Sequence, residues 1–150
     1  MPHPYRWRFD RRTGRTHEGP ILDAISEFPS LHPHRAGRRH RYAWSMTAPR
    51  GWFLFDGVAR LDLEGGAIDH YPFPAQVFAS EAPMVPRPGA TREDDGWVVT
   101  FVADLATDTS ECQIFAADRL SAGPIARVRL PERICSGTHA CWADRAALDA

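Results

Sequence analysis

The stretch Trp97-Val98-Val99-Thr100-Phe101-Val102-Ala103 carries the strongest strand signal in this chain of 150 residues. The turn-forming residues Asp94-Asp95-Gly96 stand directly before it. β-branched and aromatic side chains favour strands, and Asp and Gly residues commonly bound them. Residues 104–110 then turn the chain, and residues 111–116 return it. The stretch therefore predicts two strands joined by a turn over residues 97–116.

Short strand candidates of the same kind recur along the whole chain, with polar turns between them. We find no amphipathic helix of about 11 residues, the usual helix length. The sequence suggests only one helical turn, at residues 118–120, and residues 143–150 form either a short helix or a frayed tail. Strands at this spacing predict an all-β sandwich, barrel or propeller. The further candidates are residues 5–9, 16–22, 39–44, 52–55, 58–63, 67–73, 83–86, 124–130 and 137–142.

A weakly repeated sequence pattern favours the propeller among these all-β folds. Asp10, Asp62 and Asp104 each stand at the end of a strand candidate, a few residues ahead of a turn. An Asp side chain at that place can cap the turn by accepting backbone N–H bonds. Turns of this kind are common between the outer strands of propeller blades.

Composition excludes several classes of protein. All 18 basic residues are Arg, 19 residues are acidic, and the net charge of -1 argues against a nucleic-acid partner. No stretch approaches the roughly 20 apolar residues that cross a bilayer, and the first residues do not form a secretory signal. The three Cys residues, without such a signal, favour free thiols in a reducing compartment, so we expect a cytoplasmic location.

The segment over residues 133–142 holds the first candidate for chemistry. Neutral imidazole is a usual protein ligand for Fe, Zn and Cu, and His139 lies here within a predicted strand. The alternative is a core histidine bonded to a backbone carbonyl. Cys135 and Cys141 flank His139, but their spacing is not a standard zinc pattern.

Two glutamates are the next candidates. Glu27 and Glu81 each lie beside apolar residues and a proline. A partly buried carboxylate needs a hydrogen-bond donor, and a His N–H is a suitable one. The alternative for both is a carboxylate in a surface loop. His32 and His34 form a possible metal clip, and they are otherwise loop residues. Ser136 has no nucleophile-elbow motif, and no phosphate-binding loop is present.

Three groups of segments, taken together and in this order, resemble the C-terminal part of the carotenoid cleavage oxygenase family. That family includes apocarotenoid oxygenases, lignostilbene dioxygenases and the retinal pigment epithelial membrane protein. The match spans nearly the whole chain. The segments are Glu27-Phe28-Pro29 with Gly37-Arg38-Arg39-His40-Arg41-Tyr42; Ser80-Glu81-Ala82-Pro83 with Val85-Pro86-Arg87-Pro88-Gly89-Ala90 and Glu93-Asp94-Asp95-Gly96-Trp97-Val98; and Ala122-Gly123-Pro124-Ile125-Ala126-Arg127-Val128 with Leu130-Pro131-Glu132-Arg133 and Gly137-Thr138-His139.

The resemblance implies a seven-bladed β-propeller with Fe(II) on its axis, held by four His residues, with three Glu residues bonded to some of them. Such an enzyme uses O2 to split a conjugated C=C bond of an apolar carotenoid, apocarotenoid or stilbene into two carbonyl products. By motif match, His139 would be the last iron ligand, and Glu27 and Glu81 would be two of the supporting carboxylates. An apolar substrate also implies transient contact with a membrane surface.

The sequence departs from the family pattern in two ways. Cys135 and Ser136 stand where the family has Pro and an aromatic residue, and Ala140 stands where Gly is usual. If that position needs a positive φ or close packing, we expect Ala140 to strain the site. The second departure is that three iron ligands and the third Glu have no counterpart here.

We therefore expect residues 1–150 to form a partial β-propeller, the last two to three blades of the ring. Such a fragment would not be a competent dioxygenase alone, and an N-terminal companion polypeptide would supply the missing blades. The alternative is a non-catalytic β-rich interaction module derived from such an enzyme.

Overall fold

The apolar run around Val98 forms the longest strand of the chain. In the computed structural model, which describes residues 2–135 and 137–148, this strand is Gly96–Asp104. It pairs antiparallel with Thr109–Ala116, from Asp104 opposite Thr109 to Trp97 opposite Ala116. The predicted pair of strands is thus confirmed.

Within those described ranges the chain forms eleven strands, two 3₁₀ turns and one short helix. The strands are β1 (Tyr5–Phe9), β2 (Thr16–Pro20), β3 (Ser26–Ser30), β4 (Tyr42–Thr47), β5 (Gly57–Asp62), β6 (Ile68–Pro72), β7 (Val77–Ala79), β8 (Met84–Pro86), β9 (Gly96–Asp104), β10 (Thr109–Ala116) and β11 (Pro124–Arg129). The 3₁₀ turns are Pro33–Arg35 and Leu120–Ala122, and the helix is α1 (Arg145–Leu148). No helix in the described part of the chain is long and apolar enough to cross a membrane.

The strands form three antiparallel sheets, each built from strands that follow one another along the chain. The first contains only β1 and β2, and the second has the order β3-β4-β5-β6. The third has the order β11-β10-β9-β7, and β8 also pairs with β9. Sequential up-and-down sheets that do not close on themselves are the architecture of a partial β-propeller. The predicted all-β class and partial propeller are confirmed.

The second and third sheets share one apolar core. Trp44, Met46 and Val58 from the second sheet pack with Val98 and Phe115 from the third, and all five are fully buried. The indole N–H of Trp44 donates to the carbonyl oxygen of Ala117 at 2.9 Å. This bond satisfies the one polar atom of the indole inside the core.

Carboxylates from one sheet also bond the backbone next to the other. Glu93 in the loop before β9 accepts the N–H groups of Arg41 and Tyr42 at 2.7–3.1 Å. Asp69 of β6 accepts the N–H of Leu120 at 2.6 Å, where the second 3₁₀ turn begins. These bonds hold the second and third sheets in a fixed relation.

Each of the three sheets has an Asp-capped turn. The Oδ1 of Asp10 accepts the N–H groups of Arg12 and Thr13 at 2.8 and 3.1 Å. In the same way, Asp62 and Asp104 each accept two backbone N–H groups, two and three residues further on. The repeated sequence pattern therefore reflects one repeated turn structure, as predicted.

Some predicted elements are wrong. Residues 137–142 form no strand among those described there, because the Ala140 N–H donates to a carboxylate instead of a neighbouring strand. Residues 52–55 make only a single bridge, from Phe55 to Ala79. The helical turn predicted at residues 118–120 begins two residues later, where Asp69 bonds its first N–H groups. The strands β3 and β7 were not predicted.

Candidate metal centre

Glu81 lies in a break between two strands on one edge of the third sheet. β7 pairs with one end of β9 and β8 with the other, and residues 80–83 span the gap. The gap is held in place because Ser80 N–H donates to Phe101 O at 2.9 Å and Val99 N–H donates to Pro83 O at 3.2 Å. Glu81 therefore lies outside the paired strands, and its carboxylate is available to another segment of the chain.

Glu27 lies at a similar interruption in β3, the first strand of the second sheet. The pairing of β3 with β4 shifts between Glu27 and Ser30. Phe28 within this bulge has a φ of 52°, a left-handed backbone that non-glycine residues seldom adopt. Both glutamates singled out in the sequence thus lie where the first strand of a sheet is broken.

The C-terminal segment crosses the third sheet and brings His139 to Glu81. Arg133 forms an ion pair with Asp108 at 2.8 Å, and the Ile134 N–H donates to the Ser110 hydroxyl at 3.1 Å. Beyond these anchors, the Ala140 N–H donates to Oε2 of Glu81 at 2.7 Å. The segment is therefore held on both sides of His139 by residues far away in sequence.

The His139 ring contacts the same carboxylate. Its Nδ1 lies 3.4 Å from Oε2 of Glu81, whose side chain is only 15% exposed. The His139 side chain is 77% exposed. A carboxylate beside Nδ1 favours the tautomer with the proton on Nδ1, which leaves the lone pair on Nε2. This is the arrangement that a metal-binding histidine needs.

Phe28 packs against the other side of the site. Its ring stands edge-to-face on the His139 ring, with centroids 5.1 Å apart, and on the Phe55 ring at 5.2 Å. These contacts restrict the tilt of the imidazole. Sequence reasoning assigned no role to Phe28, although it belongs to the quoted Glu27-Phe28-Pro29 segment.

An apolar cavity of about 530 Å³ opens beside these residues. Glu27, Phe28 and Thr138 line it on the side of the candidate centre. The rest of its wall is mostly apolar or aromatic, and includes Ile25, Trp52, Phe53, Leu54 and Phe55. Glu27 is exposed at this cavity, and no histidine of the described residues contacts its carboxylate. The structure thus brings His139 and Glu81 together but leaves Glu27 apart from both.

The other predicted metal sites involve the two cysteines near His139 and the pair His32 and His34. No three His, Cys, Asp or Glu side chains are grouped as metal ligands anywhere in residues 2–135 and 137–148. Cys135 and Cys141 are both exposed. His32 accepts the N–H of His34 at its Nδ1, and burial, helped by the nearby charges of His34 and Arg35, lowers the pKa of His32. The His32 and His34 ring centroids lie 5.5 Å apart, and no group of three candidate ligands among the described residues includes them.

The residues present could provide one ligand of a metal centre. One imidazole with an oriented tautomer and an exposed ring suits Fe(II), which nitrogen ligands bind well. A complete centre needs more ligands than this one. The expected strain at Ala140 is not found: the non-glycine residues with positive φ among those described are Phe28, Gln76 and Asp108. Ala therefore fits this position.

The fold and this site together define the class. A solved structure of a mutant Synechocystis apocarotenoid oxygenase matches the chain with a TM-score of 0.86 and 30% identity, over 93% of this chain and 29% of that chain. A cobalt-substituted form of the same oxygenase matches with the same TM-score, identity and coverage. The class is thus that of the β-propeller oxygenases.

Sequence comparisons identify the family. The family model described as retinal pigment epithelial membrane protein matches residues 1–144. The apocarotenoid-15,15'-oxygenase of Synechocystis sp. is 32% identical over 91% of this chain and 29% of its own length. A carotenoid 9,10(9',10')-cleavage dioxygenase 1 of Pisum sativum is 33% identical over 91% of this chain, and a lignostilbene-alpha,beta-dioxygenase isozyme III of Sphingomonas paucimobilis is 29% identical over 98%. The chain belongs to the carotenoid cleavage oxygenase family, and it spans 28–33% of the length of these relatives.

Proposed function

We propose that this chain supplies one iron ligand, His139, and two supporting carboxylates, Glu81 and Glu27, to a dioxygenase that cleaves a conjugated C=C bond. The contact between His139 and Glu81 carries the proposal. The two residues are 58 positions apart in sequence, and the tail is anchored so that they meet. The relatives' names, which include apocarotenoid, carotenoid and lignostilbene oxygenases, support the type of reaction.

The chain's own residues position and orient the ligand. The Glu81 carboxylate lies 3.4 Å from Nδ1 of His139, where it would favour a proton on Nδ1 and leave the Nε2 lone pair for the metal. Phe28 limits the rotation of the ring through its edge-to-face contact. When bound, Fe(II) supplies the activation of O2, which ligands of this kind permit because they leave coordination positions open.

The apolar cavity indicates the type of substrate. Its wall is mostly aromatic and aliphatic, and Glu27 is the one charged residue among the described residues that line it. An elongated apolar polyene or a stilbene suits such a wall, since apolar area is favourably removed from water there. The cavity adjoins Phe28, so a substrate in it lies next to the ligand.

We further propose that the chain is not active alone. In the described residues, His139 has no second and third ligand beside it. The chain spans less than a third of the length of the apocarotenoid-15,15'-oxygenase relative. A companion polypeptide, or further sequence of the same protein, would supply the remaining ligands and the third Glu.

Metal titration of the full chain tests the ligand assignment without any turnover. Co(II) is a suitable probe because its visible spectrum reports ligand binding, and a related oxygenase has been obtained in cobalt-substituted form. We expect weak binding that is lost in His139→Ala and unaffected in His17→Ala, which removes an exposed imidazole of β2. Glu81→Gln should weaken binding by about tenfold, as supporting carboxylates do, whereas exposed Glu132→Gln should not.

Two outcomes would contradict the proposal. Equal Co(II) binding by wild type and His139→Ala would remove His139 from the centre. Turnover of an apocarotenoid by the 150-residue chain with stoichiometric iron would show that no companion is needed.

One observation favours the alternative, a non-catalytic interaction module. The second and third sheets share a continuous buried core, which is what independent folding requires. A soluble monomer that melts cooperatively and binds no metal through His139 would support the module. Aggregation or partial unfolding of the chain would support the fragment.

A further inference from the structure

The hairpin of β1 and β2 does not pack into an apolar core as the other two sheets do. It forms a sheet of two strands, and none of its residues belongs to either apolar cluster of the described chain. Trp7 is 56% and Phe9 is 70% exposed. Antiparallel sheets usually pack one face, and isolated two-stranded hairpins are marginally stable. A further element is therefore needed to complete this sheet.

The order of the strands shows on which side that element belongs. In the second sheet the last strand along the chain, β6, forms an edge, and the chain passes from it to the third sheet. β2 holds the same place, because the chain passes from it to β3 and the second sheet. β1 then corresponds to β5, which has a neighbour on both sides. The missing neighbour therefore belongs beside β1.

The backbone register shows which groups of β1 are open. The Asp10 N–H donates to Arg15 O at 2.8 Å, and the Ile21 N–H donates to Pro4 O at 2.9 Å. Hydrogen-bonded pairs alternate in an antiparallel ladder, so Arg6 and Arg8 bond β2. The backbone N–H and C=O groups of Tyr5, Trp7 and Phe9 consequently point to the open edge.

The side chains of β1 define what suits that edge. Arg6 and Arg8 lie on one face, and Tyr5, Trp7 and Phe9 on the other, since strand side chains alternate. Neither arginine forms an ion pair with another described residue, although the Arg6 guanidinium donates to the carbonyl oxygen of Leu63 at 3.1 Å. A neighbouring strand suits β1 when acidic side chains face the arginines and apolar ones face the aromatic rings.

We propose that the open edge of β1 pairs with an extended polypeptide segment that alternates acidic and apolar side chains. This rests on the proposal that the chain is one arc of a larger assembly of blades. A second copy of the chain fits the edge poorly, because two β1 edges would set arginines against arginines. Backbone pairing gives affinity here, and the charge pattern gives specificity.

Peptide binding to the full 150-residue chain tests the proposal. The probes are two labelled peptides of about seven residues, a usual strand length, one alternating Val with Glu and the other alternating Val with Lys. We expect the Glu peptide to bind about tenfold more tightly, from two cross-strand charge pairs. In hydrogen exchange it should slow the amides of Tyr5, Trp7 and Phe9 and leave those of Arg6 and Arg8 unchanged.

Charge variants separate edge pairing from general attraction. Arg8→Glu should abolish the preference for the Glu peptide, whereas Arg15→Glu makes the same change in the turn and should preserve it. Exchange protection in β9 and β10 reports that each variant is folded. Equal binding of both peptides, an equal effect of the two variants, or self-association in place of peptide binding would overturn the proposal. None of these readouts involves the metal, so this inference and the iron proposal can fail separately.

Discussion

At the scale of single residues, Asp62 combines a turn cap and an ion pair. Its Oδ1 accepts the N–H groups of Glu64 and Gly65, and its two oxygens receive a bidentate contact from the Arg41 guanidinium. The hydrogen bond from Arg41 holds the pKa of the Asp62 carboxyl well below its ordinary value, against an opposing effect of burial. The folded chain therefore favours the ionised form of Asp62.

This shift predicts a dependence of stability on pH. A lowered folded pKa contributes stability above the pKa of the unfolded carboxyl, about 3.9, and that contribution is lost as the pH falls below it. Because Arg41 is half exposed, we expect the loss to be about 1 kcal/mol. Urea unfolding at about pH 6 and about pH 3 should show a smaller acid loss for Asp62→Asn than for wild type.

Asp23→Asn is the matched control, since it removes an exposed carboxylate of the same type. It should leave the acid loss at the wild-type size. An acid loss in Asp62→Asn equal to that of wild type would show that the ion pair with Arg41 adds no net stability.

At the scale of strands, Gly96 shows how closely β8 and β9 approach. A Cβ atom at Gly96 would collide with the carbonyl oxygen of Val85 and lie 2.8 Å from Cε of Met84. Gly96→Ala should therefore destabilise the chain by about 1–3 kcal/mol, the usual cost of overpacking. Gly19→Ala in β2 has nothing within 4 Å of the new atom and should change stability by less than about 0.5 kcal/mol. Equal midpoints in chemical unfolding would contradict the close approach.

Elements formed by local contacts could be predicted from the sequence, and those fixed by distant ones could not. β9 and β10 are joined by a short turn, and their alternating apolar residues are legible in the sequence. The sequence does not predict β3, because Phe28, whose backbone is left-handed, and the following Pro29 interrupt the strand pattern. β7 has three residues, too few for periodicity, and it lacks the flanking prolines that bound the similarly short candidate at residues 83–86.

The candidate site follows the same division. His139 and Glu81 could each be singled out from their neighbouring residues, but only the family resemblance linked them, because no local spacing connects two residues so far apart. Their contact depends on Arg133, Ser110 and the break before β8. The predicted strand at residues 137–142 failed for the same reason, since its backbone bonds a distant carboxylate.

At the scale of the whole molecule, stability should be uneven. The second and third sheets share a core and bond each other through Glu93 and Asp69, so we expect them to unfold together. The hairpin of β1 and β2 has few buried contacts and should open at a much lower free energy. Hydrogen exchange of the full chain should protect β4, β5, β9 and β10 strongly and the hairpin weakly.

Uniform protection of all three sheets would contradict this expectation. Trp44→Phe offers a matched test of the shared core, because it removes the bond to Ala117 and keeps an aromatic ring. It should lower protection in the second and third sheets equally and leave the hairpin amides unchanged.

The two anchors of the C-terminal segment determine which sequence changes the segment tolerates. Ile134 is tied to Ser110 and Ala140 to Glu81, so the number of residues between them determines where His139 lies. An insertion or deletion of one residue there would move the imidazole away from the carboxylate, while a change of side chain would not. The position of His139 is therefore sensitive to the length of this segment and not only to its side chains.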